Sequence, residues 1–449
     1  MRSPAGVPRK TDHTVRHSTV VRPEEIRRHN LSQVLHQIHR HGEMSRAELT
    51  TSLGLNRSTI GDLVGDLVRR GMVDEHVPGG GEKAGRPSHV VAPRPDGPYV
   101  LAVEVEVERI VSAAVGLGGR VHLRRETSAV EPGPDAVVDR IVQDARLLAT
   151  RMPADAAPIG VGVSVPGTIQ RADGLVVHAP NLRWRNVPLR ALLAAELPGL
   201  SVRVGNNADL GALAEHQRGA ARQLRDVIYL GGSVGVGGGV IVDGAQLHGA
   251  KGYAGEIGHI MLNPDGPPCH CGSNGCVETY IGEHALLREA GVAAPLRGRR
   301  GVGGEGSRSA PSGESGGSAA GESGGCAAVE SDGEAAVGGS AAVGAVLAAA
   351  ERGEEPAAGA VARVAVDLGR TIAILINVFN PEAVIVGDTL AEVLRIERTR
   401  VEGEVARRAV VESCRAATLI TPALGRDASL IGAGELAFEH VIARLVNGD

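Results

Sequence analysis

The stretch GEIGHIMLNPDGPPCHCGSNGCVE, from Gly255 to Glu278, constrains the fold more than any other part of the chain. It places Cys269, Cys271 and Cys276 within eight residues, with His259 at loop distance before them. Three thiolates and one imidazole make a complete tetrahedral shell for zinc, so the fold must bring these four groups to one point. Isolated cysteines more often serve as buried apolar fillers or pair as disulfides. Here Cys269 and Cys271 are one residue apart and flanked by Pro267, Pro268, Gly272 and Gly275, which describes a tight turn rather than a packed helix face. One structural zinc ion per chain is expected at His259, Cys269, Cys271 and Cys276. A filled shell leaves no position for an activated water.

A chain of 449 residues is too long for one core, and two or three domains are expected. No apolar run approaches the roughly 20 residues of a membrane-spanning helix. The opening MRSPAGVPRK lacks the apolar core of a secretion signal, so the expected location is the cytoplasm. A reducing compartment agrees with metal-held thiolates and with Cys326 and Cys414 left unpaired.

The net charge of −5 is unevenly spread. Residues 1–95 carry 15 Lys and Arg against 10 Asp and Glu, whereas the remainder carries 32 against 42. That excess is weak evidence for nucleic acid by itself, and it needs a motif. Residues 22–75 supply one. Ile26, Leu31, Val34, Leu35 and Ile38 recur at helical spacing. Ser45 and Glu48 form a capping box that starts a second helix, and Gly54 ends it. Asn56 can cap a third helix running through Arg70, with Ile60, Leu63, Val64 and Leu67 on its inner face and Gly71 as its stop. In a helix-turn-helix the N-terminal residues of the second helix of the pair enter the major groove, here Asn56, Arg57, Ser58 and Thr59. A helical bundle that binds nothing is the bland alternative. Against it, Met72, Val73 and the stretch from His76 to Ala92 read as a β-wing, and Arg86 between Gly85 and Pro87 suits a narrow minor groove. The expected DNA-binding domain spans 22–92.

From Tyr99 the pattern becomes alternating strands and helices. YVLAVEVEVERIVSAAVGLGGRVHLRR gives two or three strands, an Ala-rich helix follows near Ala136 to Thr150, and IGVGVSVPG is a further strand. VRVGNNADLGALAEH runs from strand into helix, and DVIYLGGSVGVGGGVIVDG sets a glycine turn between strands. The expectation is an α/β body with a ligand at a lobe junction. Residues 297–344, rich in Gly, Ser, Ala and Glu without apolar period, read as a disordered insertion containing Cys326.

The body resembles the ROK family of repressors, open reading frames and kinases. The motifs match in order: SVPGTI at Ser164, APNLRW at Ala179, GNNADLGALAEH at Gly205, GSVGVGGGV at Gly232, GEIGH at Gly255, CHCGSNGC at Cys269 and NPEAVIVG at Asn380. The resemblance covers about residues 98–290 and 345–447. It implies a two-lobed, actin-like and hexokinase-like (ribonuclease H-like) fold in two parts, 98–296 and 345–447, around a sugar cleft. By the same resemblance Glu256, His259 and Glu278 bind sugar hydroxyls, with Asn206, Asn207 and the backbone at Gly167 beside them. His259 could then face sugar with one nitrogen and zinc with the other.

Phosphoryl transfer needs a carboxylate base and a loop that accepts phosphates. Where family kinases carry Asn-Asp-Ala, this chain has Asn206-Asn207-Ala208, and an amide cannot accept the proton. Where they carry Asp-x-Gly-x-Thr, it has Glu104-Val105-Glu106-Val107-Glu108, whose charges repel phosphate. Val234 replaces a threonine of the second phosphate loop. No catalytic residue is therefore assigned. The expected protein is a sugar-responsive repressor of carbohydrate metabolism genes that binds operator DNA as a homodimer or homotetramer, without kinase activity and without contact to a membrane. Its rivals are an ATP-dependent sugar kinase with a DNA-binding appendage and a regulator that no longer senses sugar.

Overall fold

The computed structural model describes residues 22–77, 89–107, 109–128, 133–292 and 340–447. Helix α1 (Pro23–His41) opens with Pro23 and two glutamates and closes with His39, Arg40 and His41, an order that complements the helix dipole. Its Leu31, Val34, Leu35 and Ile38 are buried, but Ile26, expected on the same stripe, is 49% exposed. The stripe begins at Leu31. The first turns are tethered instead by Arg27, 2.9 Å from Asp66.

After β1 (Met44–Ser45), helix α2 (Arg46–Leu53) begins with both arms of the Ser45/Glu48 box formed and ends at Gly54 in the left-handed conformation. Helix α3 (Arg57–Arg69) is capped by the Asn56 side chain, which accepts from the amide of Thr59 at 2.8 Å. Strands β2 (Val73–His76) and β3 (Val90–Pro93) pair antiparallel with β1 on the far side of β3, which completes a winged helix. The wing tip, including Arg86, lies outside the described residues.

The first lobe is built on β4 (Tyr99–Val105), β5 (Arg109–Gly116) and β6 (Val121–Ser128), paired antiparallel in succession. Helix α4 (Pro134–Ala149) then leads to β7 (Pro158–Val165), parallel to β4. A small sheet of β8 (Thr168–Gln170), β9 (Leu175–Ala179) and β10 (Trp184–Val187) follows, then α5 (Leu189–Glu196) and β11 (Ser201–Asn206), giving the order β11-β7-β4-β5-β6. Every residue of β4 is buried, as befits a central strand covered on both faces.

Helix α6 (Asn207–Gln217) leads into the second lobe, formed by β12 (Val227–Gly232), β13 (Val236–Val242) and β14 (Ala245–Gln246). Beyond the cysteine loop come α7 (Glu278–Ile281), α8 (Glu283–Glu289), α9 (Ser340–Glu351), α10 (Ala357–Phe379), β15 (Ala383–Gly387), α11 (Asp388–Arg408), α12 (Val411–Ala416) and β16 (Thr418–Ile420), with sheet order β14-β13-β12-β15-β16. Helix α13 (Ala428–Asn447) then returns to the first lobe and packs on β4 and β7.

One boundary moves. The insertion expected to end at 344 overlaps α9, which starts at Ser340 and buries Val343 and Val346 in the second-lobe core. Alanine, which composition groups with glycine and serine as low complexity, is the best helix former. Residues 297–339, with Cys326, lie outside the described residues. Among the described residues no helix is long and apolar enough to cross a membrane.

The core of the winged helix is not separate from the body. Leu31, Leu35, Ile60 and Leu63 belong to one apolar cluster with Val100 and Val111 of the first sheet and Leu430, Ala437 and Phe438 of α13.

Candidate metal centre and ligand cleft

The loop after β14 folds back on itself through Leu262, whose amide donates to the Gly275 carbonyl at 2.8 Å, and through Cys269, whose amide donates to Ser273 at 2.8 Å. Gly275 has φ +65°, and a side chain there would strike the Asn263 carbonyl, so only glycine closes the loop. The closure gathers one ligand atom each from His259, Cys269, Cys271 and Cys276, all within 4.8 Å of one another. The His259 Nδ1 to Cys269 Sγ distance is 3.7 Å, and Cys271 Sγ to Cys276 Sγ is also 3.7 Å. Zinc–sulfur bonds of about 2.3 Å imply tetrahedral edges of about 3.8 Å, so the donor set fits one ion. Burial pushes the Cys269 and Cys276 thiols up, and a bound cation would offset that by favouring thiolate.

The residues that the resemblance assigns to a sugar lie beside this loop. Asn206 ends β11 and caps α6, accepting from the amides of Ala208 and Asp209 while its Nδ2 donates to the Gly167 carbonyl at 2.8 Å. The next residue, Thr168, donates to Glu256 Oε1 at 3.1 Å, which ties the second-lobe glutamate to the first lobe. The backbone amide of His259 donates to the Glu256 carbonyl at 3.1 Å, so a single tight turn fixes both side chains. Glu278 accepts from the amide of Val236 at 3.1 Å and from the Cys269 thiol at 3.9 Å, which places it between the glycine turn and the metal loop. The structure thus brings Gly167, Asn206 and Glu256 into one constellation and His259, Glu278 and the cysteines into an adjoining one.

Asn207 is the first residue of α6 and is partly buried. Sequence reasoning passed over Asp209, two residues on, whose carboxyl is raised to about 7 by burial and by the nearby Glu256. Two residues turn a helix by about 200°, so Asp209 does not point where Asn207 points. Its adjacency to Asn207 in the motif was the available signal.

The region corresponding to the first phosphate loop is acidic and closed. Glu104, at the end of β4, is 5% exposed and accepts from the Ser429 hydroxyl at the start of α13. Its other carboxylate oxygen has no partner among the described residues, nor has the hydroxyl of Ser164 at the paired position on β7. Burial, with the Glu106 carboxylate close by, lifts Glu104 to about 7. Glu106 itself is held by Arg109 at 2.6 Å, and Glu108 lies outside the described residues.

On the winged helix, Arg57 is exposed at the first position of α3 and makes no ion pair among the described residues. The Asn56 side-chain Oδ1 accepts from the Thr59 amide and the Ser58 hydroxyl, so the Asn56 and Ser58 side chains partly serve the helix cap.

A model described as the ROK family matches residues 100–440, and one described as the MarR family matches residues 32–83. A xylose repressor from Bacillus spizizenii is 31% identical over 264 residues, covering 59% of this chain and 68% of that protein. A glucokinase from Halalkalibacterium halodurans is 41% identical over 133 residues, 29% of this chain and 40% of its own. Among solved structures, one described as a ROK family transcriptional regulator, homolog of E. coli MLC protein, aligns with a TM-score of 0.71 at 21% identity, covering 95% of this chain and 100% of that one.

Proposed function

The chain belongs to the ROK family, and from that premise we propose that it is a sugar-responsive repressor that binds operator DNA through its winged helix and has no kinase activity. The reading is supported by a winged helix that shares its core with the body, together with an amide at position 207 where the resemblance implies a catalytic carboxylate. Asn206, Glu256, His259, Glu278 and the Gly167 backbone offer donors and acceptors suited to a polyol. Asn207 stands where the resemblance puts the base of the family's kinases, and Glu106 and Glu108 stand where their first phosphate loop has glycine and threonine. Asn207 adds an amide that can hydrogen-bond a sugar hydroxyl without taking its proton.

One zinc ion at His259, Cys269, Cys271 and Cys276 would supply folding energy to the loop rather than chemistry, because the shell is full. It would hold His259 and Glu278 in register at the cleft. Metal analysis checks this: Cys271→Ser should drop zinc from about one ion per chain to near none, and full retention would remove Cys271 from the shell.

Arg57, Ser58 and Thr59, with Asn56 as cap, would face the major groove. A symmetric operator calls for two such helices roughly 34 Å apart, hence an even-numbered homo-oligomer working in the cytoplasm. Calorimetry of the full chain against xylose, glucose and their phosphates tests the effector class. Binding of at least one sugar, accompanied by a change in affinity for duplexes selected from a random library, is expected. Absence of any binder would favour a regulator whose cleft no longer senses sugar, and sugar-dependent ATP turnover would favour a kinase.

A further inference from the structure

Helix α6 runs from the cleft to the DNA-binding unit. Its N-terminal cap is Asn206, held to Gly167, and roughly 16 Å further along, at 1.5 Å per residue, its last turn reaches Gln217. Residues 210–217 are all buried, because α6 packs on α13 of the first lobe and on β12 and β13 of the second. The contact with α13 is backbone to backbone: a side chain at Gly432 would collide with the Leu210 carbonyl.

Immediately past α6, the Arg218 guanidinium joins three elements. Its Nε and one terminal nitrogen donate to the two oxygens of Glu435 on α13, at 2.9 and 3.2 Å. The other terminal nitrogen donates to the carbonyls of His39 and Arg40, at 2.6 and 3.3 Å, and so caps the C-terminal end of α1. Glu435 is fully buried and receives a second donor, His39 Nε2, at 2.8 Å. The other ring nitrogen of His39 accepts from the Gly118 amide at 3.0 Å, which fixes the tautomer as Nε2–H. The His39 ring also packs on Phe438, with centroids 4.6 Å apart. Gln217 adds a tie from α6 to Glu439 at 2.9 Å.

A buried ion pair contributes little net stability over a well-packed apolar replacement, but its directional bonds permit one arrangement only. A bidentate fork of this kind transmits position, because neither partner can shift without losing both bonds. The same helix that begins at the ligand constellation therefore ends rigidly bonded to the last turn of α1.

We propose that the Arg218–Glu435–His39 cluster is the joint through which α6 passes the occupancy of the cleft to the DNA-binding unit. This rests on the sugar-responsive reading given above. When the lobes adjust around a ligand, the end of α6 and the Glu435 turn of α13 move as one unit, and the joint carries that movement into the orientation of α1 and hence of α3.

The test uses the full chain, D-xylose and D-glucose as probes, and a duplex selected by the wild-type protein from a random library. Arg218→Lys keeps the charge opposite Glu435 but loses the fork, and His39→Gln keeps a donor but loses the ring. In the wild type, sugar should change DNA affinity by about tenfold or more, with DNA changing sugar affinity by the same factor. In both variants that factor should fall to about twofold or less, with sugar affinity in the absence of DNA within about threefold of wild type and thermal unfolding still cooperative. A merely structural role would lower the melting temperature and leave the factor intact. Either variant, folded and retaining the full factor, overturns the joint alone. A wild-type chain whose DNA affinity neither sugar moves overturns the sugar-responsive reading and takes the joint with it.

Discussion

A carboxyl group that loses solvent without gaining a cation holds its proton to higher pH, and Glu104 is placed in that way between Ser429 and an unpartnered face toward Ser164. Its ordinary value of 4.5 rises to about 7 through burial and the neighbouring Glu106. Between those values the unfolded chain releases the proton while the folded chain retains it. Stability therefore falls as pH rises from 4.5 to 7 and stays lowered above. Glu104→Gln removes this contribution and can still accept from Ser429. The variant should match wild type near pH 4.5 and exceed it by up to about 3 kcal/mol at pH 8 in urea unfolding. A constant difference across that range would mean that Glu104 ionises normally.

Helix boundaries reflect information held within four residues. Ser45 with Glu48, Gly54, and Asn56 with Thr59 are formed as their sequence implies, because each cap is closed by its own neighbours. The gathering of the four donor groups was legible for the same reason, since the three cysteines fall within eight residues and His259 closes a short turn before them. Two neighbours on α3 should separate by role. Asn56→Ala should cost roughly 0.5–2 kcal/mol of stability through the lost cap. Arg57→Ala should leave the melting curve alone and weaken DNA binding by roughly 1–3 kcal/mol, read in a gel-shift titration. Unchanged DNA affinity would displace Arg57 from the recognition surface. Composition misled where it grouped residues by frequency: the alanines of 340–344 begin α9 because Val343 and Val346 have a core to enter. Periodicity likewise carried Ile26 onto a stripe that starts one turn later.

Across the whole molecule, the contacts that unite the two functions were invisible in sequence because they join residues far apart along it. His39 and Glu435 are separated by 396 positions and Arg218 and Glu435 by 217, and each alone is an ordinary polar residue of a helix or its end. The lobes, by contrast, were legible from alternating strands and helices and from the ordered motifs. The division of labour across the cleft also gives a prediction. Asn207→Asp puts a carboxylate where the resemblance implies the base of the family's kinases yet leaves Glu106, Glu108 and Val234 in place, so coupled-enzyme assays with ATP and either xylose or glucose should detect no turnover. Measurable turnover would show that the acidic β4 end does not exclude nucleotide. The union of α1 with α13 also bears on biosynthesis. The winged helix is translated before the surface that seats α1, with Leu430, Ala437 and Phe438, which follows nearly four hundred residues later. A nascent chain thus presents α1 with part of its apolar seat missing until α13 has been made.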